Sequence, residues 1–266
     1  IVVSDFSKKI FEETTYTAPG PDNHVLKLET PIHAVNYPVK SYSKVNLGLD
    51  LEYDFNFLVV AQWGPRKNLE NTIRWFVEEF IDQEVGLVLK VNQKNNSIMD
   101  KLQVEAALKD LLAEYPQRKC KVHLLHGFMN NDEIHSLYTQ PKIKVLLSLT
   151  HGEGYGLPIF EAVYCGLPVV THDWGGQTDF LYMDTKTKKG KTKKRGMYTK
   201  VDYDLLHIQK EVVWEGVLEA HSQWAYPKQG SVKVKLREVY KNYKFKKSSA
   251  NKLQKYVLEK FAEQNL

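Results

Sequence analysis

The sequence predicts an α/β fold, a doubly wound parallel sheet with helices on both faces. Three observations carry this. Short apolar runs alternate with amphipathic segments of helix length across residues 57–171, the pattern of parallel strands joined by helical crossovers. At residues 152–156 a glycine-rich turn leads from one apolar run straight into a helix start, the way such folds present a ligand loop. Hydrophobic residues make up 42% and charged residues 26% of the 266, enough to bury a core and too apolar for disorder.

Each element has its own warrant. Residues 57–62 form a continuous apolar run and read as a buried strand. Ile73, Phe76, Val77, Phe80 and Ile81 then recur at helical spacing, with Asn68 as the expected N-cap and Glu70 in the first turn. Residues 86–91 are the second strand. A helix opens at Ser97 and runs to about Glu114, with Pro116 beyond its end. Residues 121–126 are the third strand, 131–138 a short helix and 144–149 the fourth strand. Residues 158–165 read as a helix with Pro158 in its first turn and Gly166 past its end. Residues 168–171 are the fifth strand, so six or so parallel strands are expected over residues 55–180.

Outside this block the signals are weaker. Residues 1–3 read as a strand and the following ones, to 16, as a helix capped by Ser4 or Asp5. Residues 17–54 hold Pro19, Pro21, Pro31 and Pro38 and read as a linker with one strand at most. Residues 184–197 are rich in Lys, Thr and Gly and read as a mobile surface loop. Residues 231–243 and 249–266 read as amphipathic helices.

Charge and cysteine content narrow the function. The net charge is +5, yet residues 186–195 hold seven basic side chains and residues 228–255 hold ten, against the one acid Glu238. The rest of the chain is therefore acidic, and the two Lys-rich segments are either solvated faces or contacts for an anionic partner such as a membrane. Aromatic residues do not interleave with residues 186–195, so a nucleic-acid partner is not expected there. Cys120 and Cys165 are the only cysteines, which excludes a disulfide scaffold and a cysteine-built zinc site and fits a cytoplasmic setting. No apolar run approaches the ~20 residues of a membrane span.

The sharpest stretch is residues 148–168. Its glycines let the backbone approach a ligand and turn N–H groups toward it, and the helix start adds further donors. Two acids lie in the same stretch, Glu153 in the loop and Glu161 in the first helical turn. A carboxylate repels phosphate and accepts from hydroxyls, so phosphate donors beside acids point to a nucleotide sugar.

With that spacing, Glu153 and Glu161 resemble the Glu-x7-Glu signature of glycosyltransferase family 4, retaining enzymes of the two-domain GT-B fold. Residues 57–68 with Arg66, Lys67 and Asn68, residues 126–138, residues 166–176 with the pair Gly175 and Gly176, and residues 224–227 resemble further elements of that family. The resemblance implies a Rossmann-like C-terminal GT-B domain at residues 55–248 that binds a nucleoside diphosphate sugar. It implies a C-terminal helix at 249–266, and at residues 1–16 a remnant of an N-terminal acceptor domain, the isolated chain being incomplete without that domain. Glu153 and Lys67 are the implied catalytic residues. Lys67 would stabilise the departing diphosphate, and Glu153 would contact the donor sugar. Glu161 would grip the ribose, and the backbone of Gly154, Tyr155, Gly156 and Leu157 would hold the diphosphate. Arg66 is a candidate second cation, equally readable as a surface arginine. Phe128 and Met129 lie where the family's base-binding loop lies and fit a packed core equally well. Lys90 and Asn92 end the second strand within reach of the nucleotide.

No cofactor or metal is expected. Asp202 and Asp204 form a DxD pair, a metal-binding pattern in unrelated glycosyltransferases, but follow no glycine-rich turn. His123 and His126 face opposite sides of a strand, and His151 and His172 are lone strand-end histidines. Two departures stand out. Ala61 and Gln62 stand where many family members carry Gly-Arg, and the acceptor side of the cleft, whether for a glycan, lipid or protein, has no counterpart here. The alternatives to a transferase are a nucleotide-binding module without activity and a basic docking domain.

Overall fold

The computed structural model describes residues 1–17, 24–186 and 190–265. Helix α1 (Asp5–Glu13) comes first, followed by the short strands β1 (Thr15–Thr17) and β2 (Val25–Lys27), which pair antiparallel. The α/β block holds β3 (Asn56–Gln62), α2 (Leu69–Glu79), β4 (Gly86–Asn92), α3 (Ile98–Ala113), β5 (Lys121–Leu125), α4 (Asn131–Tyr138), β6 (Ile143–Leu147), α5 (Leu157–Tyr164) and β7 (Val169–Thr171). After it come α6 (Thr178–Leu181), β8 (Tyr182–Lys186), β9 (Thr192–Gly196), β10 (Thr199–Lys200), β11 (Tyr203–His207), β12 (Gln223–Pro227), α7 (Gln229–Lys241) and α8 (Tyr243–Lys260).

Six strands form one sheet in the order β10-β7-β6-β3-β4-β5, and every pairing in it is parallel. The strand period of two splits the core cleanly. Phe57, Val59, Leu87, Leu89 and Val145 face one layer with Ile73 and Phe76 of α2, its C-cap Phe80, and Leu236 of α7. Leu58, Val88 and Leu146 face the other with Ile159 and Phe160 of α5, Phe180, and Leu253 and Phe261 from α8 and its end. Burial on both faces is why these strands read as unbroken apolar runs.

The parallel sheet expected from the alternation is present, and its sixth strand is Thr199–Lys200, beyond the expected span. Ser4 caps α1, its hydroxyl accepting from Ser7 N at 3.0 Å, whereas residues 1–3 make only an isolated parallel bridge, Val2 to Ala34. Asn68 is not a side-chain cap. It adopts a left-handed φ of 53° and donates Nδ2 to Leu149 O at 3.1 Å. The expected loop at 184–197 falls on the hairpin β8–β9, and its residues 187–189 lie outside the described residues, as do Pro19 and Pro21. Residues 28–54 form no helix or named strand and are pinned at intervals, through Val39 N to Phe261 O, Ser43 N to Asp132 and Val45 N to Ser136 Oγ. The last helix begins at Tyr243, six residues before the expected start, directly after α7.

Candidate active site

The carboxyl ends of β3 and β6 lie side by side in the middle of the sheet, and the loops leaving them build the site. The loop after β6 carries residues 148–156. Its last residue, Gly156, takes a φ of 89°, a conformation open to glycine and strained for other residues, and this delivers the chain into α5.

The hydrogen bonding of this loop is one-sided. Gly152 O accepts from Arg66 Nη1 and, at 3.2 Å, from Thr150 Oγ1. Glu153 O accepts from Gly176 N at 2.8 Å. Gly154 O accepts from Ser4 Oγ at 2.6 Å and Ser7 Oγ at 3.3 Å. Gly156 O accepts from Ile159 N and Phe160 N, both at 2.9 Å. Among the described residues, no hydrogen bond uses the backbone N–H of Glu153, Gly154, Tyr155, Gly156 or Leu157. The carbonyls of Gly152, Glu153, Gly154 and Gly156 are tied back to protein and the amides are left over at a helix N-terminus, which is the arrangement an anion needs.

The pair Gly175 and Gly176 makes this geometry possible. A methyl group on Gly176 would lie 2.0 Å from Gly154 O, so only glycine allows the two loops to touch. The sequence signal was the pair itself, but its role depends on a contact that spacing does not reveal.

After β3 the chain makes a 3-10 turn, Pro65–Lys67. Arg66 O accepts from His151 N at 2.7 Å, locking this turn to the loop after β6. Lys67 Nζ donates to Glu153 Oε1, and Arg66 Nη1 lies 3.3 Å from Glu153 Oε2. The side chains of Lys67 and Glu153 are 17% and 12% exposed, that of Arg66 45%. The crevice beneath, between Lys67, Glu153, Gly156 and Pro158, measures only about 10 Å³, so a ligand would lie over the pair. Glu161 is half-buried one turn into α5, and Tyr138 Oη donates to its Oε2 at 3.0 Å. Burial pushes its carboxyl above the ordinary value, and the Tyr138 bond opposes that.

The remaining candidates separate. Lys90 reaches Gly127 O with its Nζ, and burial pushes its ammonium pKa down. Phe128, next along, is 77% exposed. Met129 packs into the second core layer, the other reading its sequence allowed. Asn92 ends β4, its carbonyl accepting from Trp63 N at 2.6 Å. Leu157 is exposed at the start of α5. Tyr155 offers only backbone, because its ring is buried against Tyr37, Phe160 and Phe180.

His151 and His172 serve the scaffold: His151 Nδ1 bonds Ala225 O at 2.8 Å and His172 Nε2 bonds Thr150 O. Asp204 is paired with Lys228 at 2.7 Å. Among the described residues no group of three or more His, Cys, Asp or Glu is placed to hold a metal. The sequence reading missed Ser4 and Ser7, which reach the loop from about 150 positions away. It also missed Asp179, which accepts from Asp5 N at 2.9 Å and Asn36 Nδ2 at 3.0 Å and so docks the start of α1 beside the site.

Residues 51–187 match the family model of glycosyl transferases group 1. No curated protein matches the chain in sequence. Among solved structures, sucrose-phosphate synthase from Thermosynechococcus elongatus aligns with a TM-score of 0.62 at 12% identity, over 99% of this chain and 54% of that one. TarM of S. aureus aligns at 0.54 and 14% identity, over 89% and 38%. Anabaena HepE, solved with UDP and glucose, aligns at 0.51 and 14% identity, over 78% and 44%. At these identities the likeness is one of fold, that of GT-B glycosyltransferase domains. The chain spans about half the length of the first of these proteins and less of the others.

Proposed function

The chain belongs to the glycosyl transferases group 1 family, and from that premise we propose that it binds a nucleoside diphosphate sugar for transfer, with retention, to an acceptor hydroxyl. The observation that carries the reading is the one-sided loop. The unpaired amides of Glu153 to Leu157 lie beside Lys67 and Arg66, at the N-terminus of a helix that also bears Glu161.

In this reading the bond between the anomeric carbon and the diphosphate oxygen breaks, and charge gathers on the departing diphosphate. The loop amides, Lys67 and Arg66 meet that charge with fixed donors, which lowers the barrier without a metal. In this reading Glu153 would accept from the sugar hydroxyls and Glu161 from those of the ribose. The exposed ring of Phe128 would face the base. The neighbour solved with UDP and glucose supports a nucleotide-sugar donor of this kind. Calorimetric titration with UDP, GDP and ADP against their nucleosides tests the reading. At least one diphosphate should bind more tightly than its nucleoside, and equal affinity for every pair would refute it. A donor-hydrolysis assay then separates a transferase from a module that only binds.

A second reading coexists with the first, because one observation favours it. Arg195 and Gly196 line the same recess as Phe245, Lys246 and Ser249, so the two Lys-rich segments meet along α8. Phe245 is 64% exposed among lysines. Peripheral contact with an anionic leaflet on the cytoplasmic side is proposed for this face. No helix among the described residues is long and apolar enough to cross a membrane. Sedimentation with phosphatidylserine vesicles at low salt should retain the protein. Binding that survives the triple change Lys244→Glu, Lys252→Glu and Lys255→Glu would refute this face as the contact.

A further inference from the structure

A second polar cluster lies at the carboxyl ends of β4 and β5, apart from Lys67, Glu153 and Glu161. Asp100, in the first turn of α3, is its centre. One carboxylate oxygen accepts from Gln93 N at 2.9 Å and meets His126 Nε2 at 2.7 Å. The other accepts from Lys94 N at 2.6 Å and Asn95 N at 3.0 Å. The side chains of Asp100 and His126 are each 3% exposed. Burial alone would raise the Asp100 carboxyl, but the donors from Gln93, Asn95, His126 and Lys94 outweigh it and hold the carboxyl well below its ordinary range. A buried carboxylate is tolerable only when its oxygens are satisfied in this way.

The cluster joins two loops. Gln93, Lys94 and Asn95 belong to the loop after β4, and His126 opens the loop after β5. The residues after His126 are held just as firmly. Gly127 takes a φ of 107° and its carbonyl accepts from Lys90 Nζ. Met129 packs in the core, and Asn130 closes a capping box with Glu133 at the start of α4. From this fixed backbone Phe128 turns a large apolar side chain outward, 77% exposed. An exposed aromatic ring is ordinary by itself. One held on both sides by buried polar bonds and core packing is a preorganised stacking face.

We propose that Asp100 and His126 form a latch that positions Phe128 against the nucleobase, making them positioning residues for nucleoside recognition that do not touch the ligand. This rests on the donor-site reading above. The latch holds the base end of that site, while the glycine loop holds its phosphate end, and the two ends can be tested apart.

The experiment measures affinity for UDP, GDP, ADP and inorganic pyrophosphate in wild type, His126→Leu, His126→Gln, Phe128→Ala and the double variant His126→Leu/Phe128→Ala. Base stacking on an aromatic ring accounts for about fivefold or more in affinity. His126→Leu should therefore weaken the best nucleoside diphosphate about fivefold or more and leave pyrophosphate unchanged. His126→Gln keeps a nitrogen donor near Asp100 and should stay within about twofold of wild type. Phe128→Ala should show the same loss, and the double variant no further loss, because both changes remove the same ring contact. Three results would overturn the latch: an unchanged His126→Leu, an equal fall in pyrophosphate affinity, or additive losses in the double variant. If His126→Leu does not fold, the remaining two single variants decide: a loss in His126→Gln as large as in Phe128→Ala would overturn it. Wild type that binds pyrophosphate as well as any nucleoside diphosphate would overturn the latch and leave the phosphate cradle standing. Wild type that binds neither would overturn the donor-site reading itself.

Discussion

Replacing Lys67 by Met tests the phosphate end of the site most directly. In the structure Lys67 Nζ pairs with Glu153 Oε1, and both side chains are largely buried. The substitution keeps the side-chain length and removes the charge. Two consequences follow, and they separate. Glu153 is left with Arg66 alone, 3.3 Å from its other oxygen and 45% exposed. A half-paired carboxylate in this setting costs about 1–3 kcal/mol of folding stability, below the figure for a fully buried pair. A diphosphate lying over the crevice loses a charged donor, which costs about 1.5–3 kcal/mol of binding, or about 10- to 150-fold in Kd. The bare nucleoside should lose little. The double variant Lys67→Met/Glu153→Gln removes the stranded charge, so it should recover most of the stability and none of the diphosphate affinity. Thermal unfolding and calorimetry measure the two quantities independently. Recovery of diphosphate affinity in the double variant would show that Lys67 acts only by restraining Glu153, and the electrostatic argument would fail.

Three further outcomes are expected. Glu161→Gln should lower nucleoside diphosphate affinity about tenfold, since a charged acceptor is lost. Because the folded-state value of Glu161 is raised by burial, its contribution to stability is present at acid pH and is lost as pH rises through that value; the variant should therefore gain stability relative to wild type as pH rises above the ordinary carboxylate range, and the reverse trend in thermal unfolding would refute the assignment. Gly176→Ala places a methyl group 2.0 Å from Gly154 O and should lower stability by about 1–3 kcal/mol along with diphosphate affinity, whereas unaltered affinity would disconnect the two loops. Donor affinity should survive excess chelator, and its loss would return attention to Asp202 and Asp204.

What the sequence made legible follows from where each element gets its stability. Strands β3, β4, β6 and β7 are largely buried on both faces, so their composition alone announces them, while β5, only half-buried at the sheet edge, is announced by Val122, Leu124 and Leu125. The two residues of β10 are too short to carry a period. The hairpin β8–β9 is held by pairing between strands that are largely exposed, β9 most of all, so its Lys and Thr content reads as loop. The start of α8 was hidden for a related reason. Tyr243, Lys244 and Phe245 form no clear apolar stripe, and the helix there follows α7 after a single intervening residue, Asn242. Asn68 looked like a cap by residue type, but the tight 3-10 turn before it forces a left-handed backbone and sends its side chain to Leu149 O instead. In the candidate site, Glu153, Glu161 and Lys67 could be singled out from sequence because they stand in local motifs. Ser4, Gly176 and the Asp100–His126 pair were not, because their roles exist only once distant segments meet.

The loop carbonyls bring these threads together. A stretch of backbone offers as many acceptors as donors, so a run of glycines is by itself no better suited to an anion than to a cation. It becomes an anion site only when its carbonyls are occupied elsewhere. Here Gly156 O is taken by the start of α5, and the other occupied carbonyls draw on distant parts of the chain: Arg66 from the turn after β3, Gly176 from the loop after β7, and Ser4 and Ser7 from the cap and first turn of α1. The Ser4 hydroxyl does two things at once, accepting from Ser7 N as the cap of α1 and donating to Gly154 O. The edge-on contact of Phe6 with Trp174, and the Trp174 ring lying 2.8 Å from where a methyl on Gly152 would sit, seat α1 against the same loop. The segment read from sequence as a remnant and the pair Gly175 and Gly176 thus occupy loop carbonyls and leave five backbone amides without a protein partner among the described residues, so any preference of the loop for negative charge would come from the assembled fold and not from its glycines alone.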